Sequence, residues 1–189
     1  HPKVLSYIDV LLHKKPVGKT VAIIGAGGIG FDVATYLTAP QDHGDYLKEW
    51  GVDTAYQHRG GLGKAQWEIP ARKVWLLQRS KGKIGERLGK TTGWAHRLTL
   101  KNRDVQMWAE VQYEKIDDLG LHITVKGAPK LLEVDHVIIC AGQNSLRELY
   151  EPLRQAGVKA QLIGGAKEAG ELDAKRAIEE GLLTVDGLR

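Results

Sequence analysis

The sequence is short of cysteine, of long apolar runs and of charge imbalance, and each shortage closes off a class of function. Cys140 is the only cysteine, so the chain forms no disulfide within itself. Nor can it hold an iron-sulfur cluster alone, since such a cluster takes about four thiolates. This usage suits a reducing compartment, and a cytoplasmic location is expected. No apolar stretch approaches the roughly 18 residues of a membrane helix, and no charged-then-apolar signal opens the chain, so no membrane partner is expected. The 23 acidic residues nearly balance the 27 basic ones, leaving a net charge of +4. Nucleic-acid binding would gather Lys and Arg into a stripe or patch, and is not expected either. The longest basic cluster, Lys81, Lys83, Arg87 and Lys90, is broken by glycines and suits a loop that meets a few phosphates. The opening His1-Pro2, without methionine, suggests an excised segment; processing or unlisted upstream residues explain it equally well.

What is present is an α/β pattern. Residues 4–12 carry apolar side chains at helical spacing and predict a short helix in a lead-in segment, 1–18. Residues 20–24 (TVAII) form a β-branched run suited to a central parallel strand buried on both faces. A helix follows over 28–37, with Asp32 read as lying in its first turn and given no chemistry. From 38 to 72, Pro and Gly punctuate a stretch with one plausible helical turn, around 46–50, and an inserted loop region is expected. Residues 73–78 (KVWLLQ) predict a second buried strand, 94–102 a helix, and 105–137 a small antiparallel meander with segments 111–113, 121–125 and 131–134. A third parallel-type strand, 136–140 (HVIIC), ends in Ala141-Gly142. A helix over 145–156 follows, then a strand over 161–163, the pair Gly164-Gly165, and a helix from about 171 to 180. The expected fold is Rossmann-like: a three-layer parallel-sheet α/β domain with a β-meander.

The motif that carries chemistry is Gly25-Ala26-Gly27-Gly28-Ile29-Gly30, G-x-G-x-x-G between a strand and a helix. Gly25 permits the tight turn, Gly27 lets a pyrophosphate approach the backbone, and Gly30 lets helix and strand pack closely. The amides at the helix start, those of Gly28 and Ile29 included, then face the diphosphate at the positive end of the helix dipole. NAD and NADP are distinguished at the end of the second strand, where an acid meets the ribose 2′-hydroxyl and an arginine the 2′-phosphate. Here that strand runs into Arg79, Ser80 and Lys81, with no acid, so NADPH is favoured. Arg79 lies 49 residues after Gly30, against about 20 in the motif, and the assignment rests on the 38–72 insertion explaining the difference.

The segments HPKVLSYIDVLLHKKPVG, VAIIGAGGIGFDVATYL, LGKTTGWAHR, VIICAGQ and LIGGAKEAGELDAKRAIEEG together resemble the C-terminal part of bacterial NADPH-dependent 2,4-dienoyl-CoA reductases, enzymes of fatty acid β-oxidation. The resemblance spans essentially the whole chain. It implies an NADPH domain inserted in an FAD domain, behind a barrel that carries FMN and a 4Fe-4S cluster. The FMN and cluster sites would lie outside this chain. It also divides the chain into 1–18 leading in from the FAD domain, 19–157 binding NADPH, and 158–189 returning to the FAD domain. The partner would then be the remainder of the same polypeptide. By this resemblance Gly25, Gly27 and Gly30 hold the pyrophosphate, Arg79 and Ser80 meet the 2′-phosphate, and Trp94 lies near the meeting of nicotinamide and flavin. Gly142 joins the cofactor-binding set at the end of the third strand. Gly164, Gly165, Leu172, Asp173 and Ala174 form part of an FAD site that the missing domain would complete. Read alone, Trp94 is equally a core or interface tryptophan, and 164–174 an ordinary turn and helix.

No catalytic residue is expected in this chain, because hydride transfer between nicotinamide and flavin needs positioning and not a protein acid or base; no metal ligand is expected. Two other functions fit the sequence less well. One is a stand-alone NAD(P)-binding sensor, which has no use for the 158–189 tail. The other is an ADP-binding domain of a trimethylamine dehydrogenase-like enzyme, against which Arg79 argues.

Overall fold

The computed structural model describes residues 1–40, 42–170 and 173–187. The chain forms two compact units, His1–Ala141 and Gly142–Arg189. The boundaries expected after 18 and 157 come from the family resemblance and divide the chain differently from these two units.

The first unit is built on a parallel sheet of five strands. In chain order these are β1 (Val4–Ser6), β2 (Thr20–Ile24), β3 (Lys73–Leu77), β4 (Gln106–Trp108) and β8 (His136–Ile139), and they lie in the spatial order β1-β8-β2-β3-β4. A separate antiparallel meander of β5 (Val111–Asp117), β6 (Gly120–Val125) and β7 (Ala128–Leu132) precedes β8. Alternation along the strands explains the layering. Val21, Ile23, Val74, Leu76 and Ile138 join one buried cluster with Phe31, Val33, Ala34, Leu37 and Leu100. Those last five come from the helices α2 (Gly28–Thr38) and α4 (Gly93–Asn102). The intervening Ala22, Trp75, Leu77 and Val137 join a second cluster with Val111, Leu121, Ile123 and Leu132 of the meander. Helices cover one face of the sheet and the meander the other, giving the three layers of a Rossmann-like domain. Burial on both faces is why TVAII and KVWLL read as continuous apolar runs.

Several elements differ from the sequence expectation. Residues 4–6 are an edge strand, paired in parallel with β8 through Val4↔Val137 and Ser6↔Ile139, and the lead-in helix α1 is only Tyr7–Leu11. A capping box sets that start: the Ser6 hydroxyl accepts from the Asp9 amide (3.0 Å) and the Asp9 carboxylate from the Ser6 amide (2.9 Å). With Ser6 in the extended cap conformation, the residues before it continue as strand. Part of the expected meander belongs elsewhere too, since β4 extends the parallel sheet beside β3 through Trp75↔Gln106 and Leu77↔Trp108. The last meander strand is 128–132 and not 131–134; it includes Pro129, on the outer strand β7, where a missing amide hydrogen is tolerated. No acid lies in the first turn of α2, and Asp32 sits further along an exposed face.

The 38–72 stretch is more ordered than an inserted loop. It holds α3 (His43–Trp50), a 3₁₀ turn at Arg59–Gly61 and an isolated bridge between Val52 and Leu62. Arg103, at the end of α4, clasps Glu49 of α3 with two bonds, Nε to Oε1 at 3.0 Å and Nη2 to Oε2 at 2.8 Å. Both side chains are 4% exposed.

Among its described residues the second unit has no strand. It holds the helices α5 (Tyr150–Gln155), α6 (Gly164–Lys167) and α7 (Ala174–Asp186). The expected strand 161–163 is absent because no neighbouring strand offers it a ladder, although Ile163 itself is extended. The expected helix 145–156 shrinks to its last part. Helix α7 starts later than 171 because Asp173 is its cap, accepting from the Arg176 amide at 2.8 Å.

Candidate dinucleotide site

Three glycines of the Gly25–Gly30 turn have different physical reasons for being glycine. Gly25 takes φ +109°, and a Cβ there would press on the Cys140 carbonyl and the Ala141 amide at 2.7–2.8 Å. Gly30 is buried, and a Cβ on it would overlap the Gly25 carbonyl oxygen. Packing within the protein therefore accounts for both. Gly27 is different: its φ of −83° suits any residue, and a Cβ there would meet nothing within 4 Å. Gly28 is likewise exposed with open space around it. Neither backbone conformation nor packing within the protein requires glycine at Gly27. Gly27 is also the cap of α2 and offers no side chain to its amides, so the first-turn donors of Gly28, Ile29 and Gly30 are left for a ligand. These features fit a dinucleotide pyrophosphate.

β3 lies directly beside β2, with Ile24 opposite Leu77 and the Gly25 amide bonded to the Leu77 carbonyl at 2.9 Å. The chain leaving β3 therefore emerges next to the glycine turn, whatever the length of the 38–72 insertion. Arg79, Ser80 and Lys81 are exposed there. The Gln78 amide group donates to the Ser80 carbonyl (3.0 Å), the Val111 amide to Gln78 (3.0 Å) and the Glu110 amide to Ser80 (3.3 Å). The turn is thus tied to the start of the meander.

The basic loop that follows is anchored at its centre. Ile84 is buried, and Gly85, at φ +72°, lies so close to the Phe31 ring of α2 that a Cβ would stand 2.6 Å from it. From α4, Arg97 donates through Nη1 to the Gly85 carbonyl at 2.7 Å. Nothing in the sequence marks Arg97 or Gly85; an arginine in a helix and a glycine among several carry no local signature. Tyr113 was also missed. Its hydroxyl is buried without a partner, and burial pushes it up to about 12 against the lowering influence of Arg79.

Trp94, in the first turn of α4, is 59% exposed, and its indole N–H donates to the Thr91 carbonyl at 3.0 Å, so it is not a core tryptophan. His96 is half-buried. Cys140 packs at the edge of the helix-side core, and burial pushes its thiol up to about 12, which disfavours the thiolate. In the second unit Gly142 is exposed at φ +76°, and Gly164 takes φ +55°. The Gly164 amide is already bonded to the Glu180 carboxylate at 2.6 Å. Gly165 is half-buried, Asp173 and Ala174 are exposed at the start of α7, and Leu172 lies outside the described residues. Among the described residues no three His, Cys, Asp or Glu gather as a metal site, and no helix is long and apolar enough to cross a membrane.

A family model for pyridine nucleotide-disulphide oxidoreductases matches residues 6–169. The chain belongs to this family. Its members are oxidoreductases that use flavin and nicotinamide cofactors, and the glycine turn of this domain is of the kind that holds a dinucleotide. With one cysteine, this stretch cannot itself carry a disulphide centre. A metal reductase of Desulforamulus reducens is 27% identical over 168 residues, which cover 87% of this chain and 24% of that protein. Among solved structures, a 2-naphthoyl-CoA reductase in complex with 2-naphthoyl-CoA matches 94% of this chain and 22% of its own, with TM-score 0.65 and 20% identity. Histamine dehydrogenase from Rhizobium sp. 4-9 matches 95% of this chain and 25% of its own, with TM-score 0.60 and 16% identity. The chain thus spans about a quarter of the length of these proteins. At such identities the two structures show a shared fold.

Proposed function

We propose that this chain is the NADPH-binding portion of a larger flavoprotein oxidoreductase similar to 2,4-dienoyl-CoA reductase, and that it presents NADPH to an FAD held mainly by another part of the same polypeptide. The observation that carries the reading is the neighbourhood of Arg79, Ser80 and Lys81 to the glycine turn, on the strand next to it and with no acid in the 78–81 turn. A guanidinium and an ammonium favour a dianionic 2′-phosphate over a hydroxyl.

NADPH supplies a hydride when bound; the chain's own work is placement. Gly27 leaves room for the pyrophosphate, the amides of Gly28, Ile29 and Gly30 donate to it, and Arg79 with Ser80 holds the adenosine end. Trp94 offers an exposed ring where the nicotinamide end would meet a flavin and exclude water from it. Substrate reduction, the FMN and the 4Fe-4S cluster belong to the rest of the polypeptide in this reading, in the cytoplasm. In this reading Gly165, Asp173 and Ala174 form part of the FAD site, which another part of the polypeptide completes.

The test is calorimetry with NADPH and NADH at low salt. NADPH is expected to bind more tightly, and Arg79→Ala to remove about 1.5–3 kcal/mol of that preference. Gly27→Val is expected to abolish binding of both while leaving the fold intact, because its Cβ meets only open space. Equal affinities in the unaltered chain would sink the NADPH assignment.

A further inference from the structure

Fifteen residues, 78–92, separate β3 from α4, and three of them are glycine (Gly82, Gly85, Gly89). A loop of that composition is costly to order, at roughly 1–2 kcal/mol of backbone entropy per residue. If a ligand had to organise it, the affinity gained from its cations would be spent on that ordering. Here the loop is secured before any ligand arrives. At its start the Gln78 side chain and the Glu110 amide hold the Ser80 carbonyl. In its middle Ile84 is buried, Gly85 is seated on Phe31, one residue beyond the last glycine of the dinucleotide turn, and Arg97 grips the Gly85 carbonyl. Between those two fixed points hang Lys81, Gly82 and Lys83, all exposed.

We propose that Arg97 is the positioning residue for recognition of the nucleotide's extra phosphate, acting through the Gly85 carbonyl to fix the 81–83 span beside the glycine turn. The inference rests on the NADPH reading above and adds to it a residue that touches no ligand. Arg97 reaches across from α4, and its guanidinium donates to a backbone acceptor, so it contributes geometry and not charge to the phosphate. Losing it frees the span that carries Lys81 and Lys83 while leaving the glycine turn on α2 intact. The pyrophosphate is common to both cofactors, whereas the extra phosphate distinguishes them. Discrimination is therefore what Arg97 controls.

The experiment measures dissociation constants for NADPH and NADH with the whole chain, for the unaltered protein, Arg97→Ala and Arg97→Lys, each checked for folding by circular dichroism. Arg97→Ala is expected to weaken NADPH binding by about tenfold or more, with NADH affinity changed by less than about threefold. Arg97→Lys, which keeps a donor, is expected to restore part of the preference, and it stands in if the alanine variant does not fold. An unchanged NADPH-to-NADH ratio in a folded variant overturns the proposal, as does an equal fall in both affinities, which is the mark of a merely structural brace. Equal affinities in the unaltered chain would instead remove the NADPH reading itself, so the two failures are distinguishable.

Discussion

Helices α2 and α7 make an instructive pair. Both carry apolar residues at helical spacing, yet α2 buries Gly30, Phe31, Val33, Ala34, Leu37 and Thr38, whereas α7 buries none of its residues. Ile178, Leu182, Leu183 and Val185 of α7 remain 56–65% exposed. The contrast extends to the two units. His1–Ala141 closes its own core on both faces of a sheet, while Gly142–Arg189 has helices and no sheet among its described residues. Amphipathic spacing says that a face is made to be covered. It does not say whether the same stretch of chain supplies the cover. The first unit covers its own apolar faces, whereas the second leaves the apolar stripe of α7 exposed.

If the first unit's coherence includes the 38–72 segment, the largest loss of stability will come from the Glu49–Arg103 pair. Glu49→Ala leaves a guanidinium buried without its carboxylate, and such a change costs about 3–5 kcal/mol. Thermal unfolding followed by tryptophan fluorescence checks it, since all five tryptophans lie in residues 50–108. The double variant Glu49→Leu, Arg103→Met is expected to recover much of that loss, because two apolar side chains leave no orphaned charge. A single-variant loss below about 1 kcal/mol would mean that the segment is an appendage and the first unit less unified than described.

A smaller effect is expected from acid. The Asp135 carboxylate accepts from the Thr20 amide at 2.9 Å, joining the start of β2 to the turn before β8, and this bond holds it below its ordinary value of 3.8. Asp53 is lowered as well, chiefly by His58. A carboxylate depressed in the folded state contributes its full stability above its unfolded value, near 3.9, and loses it as pH falls toward the folded one. The first unit is therefore expected to lose stability below about pH 4, and Asp135→Asn to flatten that slope in melts between neutral pH and 3. An unchanged slope would show that the bond to Thr20 adds nothing to holding β2 against β8.

Fold and site were legible in the sequence to different degrees. TVAII, KVWLL and HVII could be read because burial on both faces leaves a continuous apolar run, and the glycine turn because strand, glycines and helix adjoin. The place of Arg79, just past the end of a buried strand beside the glycine turn, could be read despite the distance because that context survives an insertion. Strands β1 and β4 were not legible. Each has three residues and lies at an edge, so strandness came from a partner far away in sequence and not from local pattern. The Glu49–Arg103 clasp and the Arg97–Gly85 bond were invisible for the same reason, since charged side chains on helices look solvated until the fold brings their partners to them. The missing strand at 161–163 is the converse case: the residues favour extension, but the chain offers no ladder.

The smallest expected effect on stability is at α7. Replacing Ile178 or Leu182 by Glu puts a charge on a helix with no buried residue, so unfolding of the first unit should shift by no more than about 0.5 kcal/mol, as at ordinary surface positions. The same variants should lower binding of a hydrophobic dye and any concentration-dependent self-association, because an exposed apolar stripe of this kind is what drives both. Tryptophan fluorescence reports the first unit alone, and the dye reports the stripe, so the two readouts separate the units within one protein. A loss above about 1 kcal/mol in the tryptophan signal would mean that the α7 stripe contributes to the stability of the first unit. The contrast between α2 and α7 would then reduce to a difference in depth.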